Sequence, residues 1–435
     1  MRSPNRSNYL GLWLIILYMF LEYVRPQSFI PGLAYLRIPM FVQIAIMLAL
    51  LRSNVARLKS KESVMFLVFV CLMMLHIPLA TNNYLAYWTT RTMALQFVVF
   101  LGIIGFLDTY EKFDKVLTFW VIVAVLCAAK GYYEGGRIPN SSFLGDENDF
   151  SLFLNMMVPL AFFKGYTASK KSAKLLFYGG VVVLIMGTVS SLSRGGFVGL
   201  LSPVLYCWWK SAHKLRSAFV ALIVGGLLVA YAIPDSYWDE MRTITEEGTT
   251  EGTGSHRIYM WKGAWAMFLE HPLAGVGPGN FPVRFGEYEP PGGLHGRSEA
   301  WRAVHSVYFT LLPELGLAGC LLFFGMLWTN LKERRHLRKA IEGLNAPDRQ
   351  QNAVVNNKLH RLEALGWGLT GAIIAYLVSG AFLSVLYYGH FWLIMGLSVA
   401  RNSIVRELLL KIDQQARPAT ARFPLTNLAT ALTTD

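Results

Sequence analysis

The chain has 435 residues, of which 54% are hydrophobic and only 15% charged, and its mean hydropathy is +0.39. Apolar runs of about 15–20 residues recur along it, each long enough to cross a hydrocarbon core of roughly 30 Å. That excludes a soluble globular chain and predicts an all-α polytopic membrane protein. The net charge of +13 would suit a nucleic-acid surface only if the cations were gathered on one.

They are not gathered in that way. Spans are expected near residues 9–24, 38–51, 63–79, 92–107, 116–129, 150–163, 175–192, 196–209, 217–233, 304–328, 364–388 and 390–400, twelve in all, with both termini on one side. Connections on that side hold 28 of the 40 Lys and Arg, and those on the other side hold 12. Basic residues near span ends stay cytoplasmic, so the termini are assigned to the cytoplasm and no nucleic-acid partner is expected. The chain divides into 1–233 with spans one to nine, a large outer loop at 234–303, and 304–406 with spans ten to twelve. A basic cytoplasmic connection lies at 329–363, read as a solvated helix pair or a linker, and a disordered cytoplasmic tail is expected at 407–435. Arg2 and Arg6 precede an apolar run with no small-residue cleavage site behind it, which reads as an uncleaved first span. Cys71, Cys127, Cys207 and Cys320 all fall in expected spans, as small buried apolar residues.

In chain order, the first polar cluster with chemical content is Asp146, Glu147 and Asp149, just before span six. Oxygen ligands suit a hard divalent cation, but acids at a helix start also suit an N-cap and the positive end of the helix dipole. The N-cap is the preferred reading, because adjacent carboxylates on one turn rarely converge on one ion. Next, Ser191-Leu192-Ser193-Arg194-Gly195-Gly196 forms a tight hairpin between spans seven and eight. Gly195 and Gly196 permit positive φ and close backbone approach, which would leave N–H groups for an anion. The plainer reading is a turn whose arginine reaches toward lipid headgroups.

The outer loop at 234–303 is the one long departure from apolar sequence on that side. It carries Arg257 and Trp261, then the turn-rich Gly275-Val276-Gly277-Pro278-Gly279-Asn280-Phe281, and runs into His305 at the head of span ten. The glycine-rich stretch fits no phosphate loop, since no Lys-Ser/Thr follows it, and reads as a rigid turn. Arg194 and Arg257 present planar forks suited to phosphate oxygens. His305 could take a proton from a hydroxyl near neutral pH. Ser193, Gly195, Gly196, Trp261, Ser306 and Glu314 stand beside these three as supporting candidates. Arg242, Arg284, Arg297, Arg302, His256, His271 and His295 compete for the same roles, and spacing does not choose among them.

At these residues the chain resembles the O-antigen ligase and polymerase superfamily of bacterial envelope glycosyltransferases. The likeness runs over most of residues 140–330 in motif order: Asn148-Asp149, the Ser191–Gly196 turn, Arg257 with Trp261, and His271-Pro272-Leu273-Ala274 leading into the glycine-rich turn. Its most specific part is His305-Ser306 followed by nine residues and Gly316-Leu317-Ala318-Gly319. The family often has Leu where Trp261 stands, an aromatic able to stack on a sugar or anchor at the interface. The resemblance implies a GT-C-like architecture with a large periplasmic loop between spans nine and ten, in the bacterial inner membrane. It also implies a metal-independent, cofactor-free, inverting transferase with an undecaprenyl-diphosphate-linked glycan donor. His305 would be the base, and Arg194 and Arg257 would hold the donor diphosphate. The acceptor separates ligation to lipid A-core, which the His-Ser-x9-Gly-x-x-Gly pattern favours, from polymerisation and from protein O-glycosylation. A lipid-linked glycan transporter is the reading from another class. No internal repeat supports it, and the polar candidates sit at one face rather than at midplane.

Overall fold

The computed structural model describes residues 6–28, 30, 32–52, 55–139, 141, 143–211, 214, 252–291, 293–294, 297–344 and 353–416. The expected ninth span at 217–233, the loop residues 234–251 with Arg242, His295, and the tail 417–435 lie outside these. The chain is an all-α polytopic membrane protein. Its helices are α1 (Arg6–Tyr23), α2 (Ile38–Leu50), α3 (Val55–Leu58), α4 (Lys61–His76), α5 (Asn83–Phe106), α6 (Tyr110–Tyr133), α7 (Glu147–Thr167), α8 (Lys171–Ser190) and α9 (Arg194–Lys210). After the gap come α10 (Gly252–Glu270), α11 (Phe281–Arg284), α12 (Val307–Leu344), α13 (Ala353–Ser379) and α14 (Gly389–Ala416). Among the described residues there is no strand, only one isolated bridge between Leu294 and Arg297. Six of these helices are long and apolar enough to cross a membrane, and the shorter α2 is also apolar.

The helices begin where the sequence offers caps. Ser60, Asn82, Thr109, Asp146 and Ser193 each accept a backbone N–H of the first turn, satisfying donors that have no partner inside the helix. Helix α7 is the centre of the bundle. Residues 150–161 are buried on every face, as expected of a helix surrounded by others, and α7 packs on α8, α9 and α13. Gly371 lets α13 approach α7 so closely that a Cβ there would lie 2.7 Å from Pro159. Outward faces are apolar too: Trp13, Leu75, Leu175, Leu321 and Trp328 are all more than 60% exposed. Lipid is the solvent that such faces fit.

Three features depart from the expectations, and one chooses between stated alternatives: the connection at 329–363 is largely helical, as the helix-pair reading has it. Helix α13 stops at Ser379 and is followed by a 3-10 turn (Gly380–Phe382) and an irregular stretch before α14, so residues 380–388 do not belong to a spanning helix. Helices α12 and α13 extend through most of 329–363, leaving 345–352 as the undescribed link. Helix α14 continues to Ala416, so residues 407–416, expected in the tail, are helical. Cys71 is exposed on the bundle surface and Cys320 partly so, while Cys127 and Cys207 are buried. A thiol facing acyl chains satisfies the same apolar preference as a buried one.

Candidate active site

The site lies at the end of the bundle where α7, α9, α12 and α14 begin and α13 stops. The 380–384 turn is its hub. The His305 backbone N–H donates to Ser384 Oγ at 2.9 Å, the Arg257 guanidinium carbon lies 5.8 Å from the Phe382 ring centroid, and a Cβ on Gly195 would sit 3.5 Å from Phe382. The charge of Arg194 is felt at Arg257, and that of Arg257 at His305. Three residues from three distant parts of the chain are therefore neighbours around one short turn. All three are half-buried.

Each is positioned by its own local device. Ser193 caps α9: its hydroxyl accepts the Gly196 N–H at 2.9 Å and donates to Asn148 Oδ1 at 2.7 Å, tying α9 to the first turn of α7. Gly196 is needed for packing, since a Cβ there would meet Ser151 Oγ at 2.3 Å. This corrects the expectation of a positive-φ glycine pair. Gly195 and Gly196 are both helical, the left-handed residue of the turn is Leu192 at φ 53°, and the Gly196 N–H is taken by the cap.

Trp261, one turn after Arg257, donates its indole N–H to the Val304 carbonyl at 3.1 Å and stacks on Phe309 at 5.3 Å. It thereby locks α10 to the segment that delivers His305. The structure thus gives Trp261 a holding position beside the segment that carries His305. His305 itself has φ 53°, a conformation that costs a β-carbon residue on the order of 1–2 kcal/mol. Ser306 follows and caps α12 by accepting the Phe309 N–H.

Glu314 lies below the site and is 2% exposed. It accepts the Gly279 N–H at 2.7 Å, the Phe281 N–H at 3.2 Å and the Tyr387 hydroxyl at 2.6 Å. Two residues on, Gly316 breaks α12 at φ 60°, ψ −160°. A break leaves carbonyls before it and N–H groups after it without helical partners, and the glycine-rich turn supplies both. The Val276 and Gly277 N–H groups donate to the Pro313 and Glu314 carbonyls, both at 2.9 Å. Leu317 and Ala318 donate back to the Pro272 and Leu273 carbonyls at 2.8 and 3.0 Å. Gly275, at φ 78°, has no room for a Cβ, which would lie 2.4 Å from the Glu314 backbone. Glu314→Ala would leave three buried donors without their acceptor, each costing about 1–3 kcal/mol. Thermal unfolding of that variant in detergent should move down by several degrees, and an unchanged midpoint would show that the turn is held by other means.

The electrostatics favour an anion and a neutral imidazole. Burial and the Arg194 charge pull the Arg257 pKa below that of a free guanidinium, which still stays protonated. Burial, then Arg257 and His256, hold His305 below the ordinary histidine value, with Asp146 opposing weakly. The three carboxylates at the start of α7 diverge. Asp146 accepts the Asn148 and Asp149 N–H groups at 2.9 and 3.1 Å, Glu147 stands 3.8 Å from Arg137, and Asp149 bonds Tyr388. Among the described residues no group of three His, Cys, Asp or Glu is arranged to hold a metal ion.

Of the competing residues, Arg284 pairs with Glu287 and His271 away from the hub. His256 lies 6.5 Å from His305, ring to ring, and is held by Glu299, which also takes Arg302 at 2.9 Å. The sequence reading missed Phe382, Ser384 and the His256–Glu299 pair. Gly380 and Ser384 interrupting an apolar run were the available signal. Beside Arg257 and one turn along α10, Ile258, Trp261, Lys262, Trp265 and Phe309 line an open apolar groove of about 430 Å³.

Residues 179–324 match the family model described as O-antigen ligase, and the match supports the O-antigen ligase and polymerase superfamily for this chain. The matched stretch contains Arg194, Arg257, His305 and the interlocked turn. No curated protein matches the chain.

Proposed function

From its place in the O-antigen ligase and polymerase superfamily, we propose that this membrane protein moves a glycan from undecaprenyl diphosphate to an acceptor hydroxyl, with lipid A-core as the favoured acceptor. The observation that carries the reading is the meeting of Arg194, Arg257 and His305 around the 380–384 turn. His305 takes the proton of the acceptor hydroxyl. The oxygen attacks the anomeric carbon from the face opposite the diphosphate, the glycosidic C–O bond to phosphate breaks, and the configuration inverts. The lipid diphosphate leaves as an anion whose charge the two guanidiniums offset. The apolar groove begins beside Arg257, at Ile258, and suits the first isoprene units of the donor. The charge count supports cytoplasmic termini and an outward position for this end of the bundle, which in the reading proposed here is the periplasmic face of a GT-C-like protein of the inner membrane.

The test uses purified protein with an undecaprenyl-diphosphate oligosaccharide and, separately, lipid A-core, an acceptor peptide, or no added acceptor, with products resolved by mass. A lipid A-core conjugate supports ligation. Lengthened lipid-linked glycan without acceptor would make the protein a polymerase, and a glycosylated peptide a protein O-glycosyltransferase. Because arginines rather than acids face the diphosphate, activity is expected to persist in EDTA. Loss that Mg²⁺ restores would overturn the metal-independent route.

A further inference from the structure

At the other end of the bundle a second group of cations has no counterpart in the chemistry above. Helix α9 runs for 17 residues from Arg194 to Lys210, so Lys210 lies about 25 Å from the candidate site. There Lys210, Arg334, Arg338 and Arg401 meet. Arg401 is fully buried and donates to the Glu363 carboxylate at 2.7 Å, the Leu362 carbonyl at 3.0 Å and Asn402 Oδ1 at 3.0 Å. Arg334 is 9% exposed and bonds the Tyr206 hydroxyl. Gly366 makes room for both guanidiniums: a Cβ there would lie 3.0 Å from Arg401 Nε and 3.3 Å from Arg334 Nε.

The carboxylates do not balance this group. Glu363 is taken by Arg401, with Arg338 at 4.0 Å, and Glu342 is taken by Arg338 at 2.8 Å. Glu333 pairs with Arg406. Among the described residues, neither Lys210 nor Arg334 has a carboxylate at ion-pair distance. Arg334 and Arg338 are both close enough to Lys210 to repel its charge. A plain topological charge bias needs cations in water, not two packed side by side in the bundle. Two indoles complete the arrangement. The Lys210 ammonium sits 4.4 Å from the Trp209 ring and 5.7 Å from that of Trp367, the Trp209 ring is 60% exposed, and the buried Trp367 indole N–H has no acceptor. Donors outnumber acceptors at the depth where tryptophan marks the interface.

We propose that Lys210, Arg334 and Arg338, backed by Trp209 and Trp367, form a site for the phosphate headgroup of an anionic phospholipid in the leaflet opposite the candidate active site. Phosphate oxygens supply an acceptor for the Trp367 indole N–H, a counter-charge for the Lys210 ammonium, and a further anionic partner for Arg334 and Arg338 beside Tyr206 and Glu342, and the acyl chains continue along the apolar face of α9, where Leu205 and Leu201 are exposed.

The experiment is native mass spectrometry of the full chain with phosphatidylglycerol or phosphatidylcholine added in detergent. Wild-type protein should retain phosphatidylglycerol preferentially, and Lys210→Gln and Arg338→Gln should each weaken retention by about fivefold. Both side chains reach the surface, so neither change empties the core. Lys174→Gln, an exposed lysine at the same end, should leave retention unchanged. Equal losses in Lys174→Gln and Lys210→Gln, or none in Lys210→Gln, would overturn the site. Displacement of the lipid by excess inorganic phosphate would make it a site for soluble phosphate and overturn the lipid assignment.

Discussion

His305→Ala is expected to abolish glycan transfer, with a loss of about 10²–10⁴-fold or more, while the protein inserts and unfolds at close to the wild-type temperature. The anchoring contact at this position is made by the backbone N–H to Ser384, which alanine retains. The pH profile gives a sharper test. The base must be neutral, and burial with the Arg257 charge lowers its pKa. Neutral imidazole therefore persists to more acid pH than for a free histidine, whose value is about 6.5. The acid limb of kcat/KM should lie below that value and move upward in Arg257→Gln, where the second cause is removed. A limb at or above about 6.5 in the wild type would count against His305 as the base. Wild-type turnover in His305→Ala would remove it altogether.

The second large effect is expected at the arginines. Arg194→Lys and Arg257→Lys keep the charge but lose the planar fork, and each should cost about 10²-fold or more in turnover. Arg257 tests this well, because its neighbours are a ring and a like charge. Among the described residues no carboxylate pairs with Arg257, so beyond the Phe382 ring its charge is left for an arriving anion. Turnover of the diphosphate-linked donor by the wild type and both lysine variants, compared under single-turnover conditions, separates chemistry from product release. Equal rates would show that charge alone suffices and that no bidentate contact is made. A defect in Arg194→Lys with none in Arg257→Lys would leave a single arginine on the diphosphate.

Much of this was legible because membrane proteins announce their helices. Long apolar runs fixed where most helices lie, and the cap residues Asn82, Thr109, Asp146 and Ser193 stand in plain sight before them. The motif residues also stood out, since an arginine or histidine beside a span is costly enough to draw the eye. What they touch was not readable. The hub at 380–384 was hidden inside an apolar run, because a helix end followed by Leu383, Val385 and Leu386 looks like continued hydrocarbon. The part of Glu314 was hidden for the opposite reason: a lone acid in a span reads as chemistry, yet here its oxygens are spent on a turn 33 and 35 residues upstream. The glycines at 195 and 196 misled because sequence cannot tell a residue that is small for its φ from one that is small for its neighbour. Only the position of Ser151, whose Oγ would lie 2.3 Å from a Cβ on residue 196, decides it.

The interlock between the glycine-rich turn and the broken helix also bears on how such a chain can change over generations. Four backbone hydrogen bonds run across it, two in each direction, and the Glu314 carboxylate adds two more from backbone N–H groups and one from Tyr387. Residues 271–281 and 313–319 are therefore one heritable unit, although 31 positions, 282–312, separate its halves in the chain. The two halves of the unit must travel together, whatever changes in the stretch between them outside the segment that carries His305 and its supports. A chimera that imports one half from a distant relative and leaves the other in place should fail to assemble, and importing both should restore it.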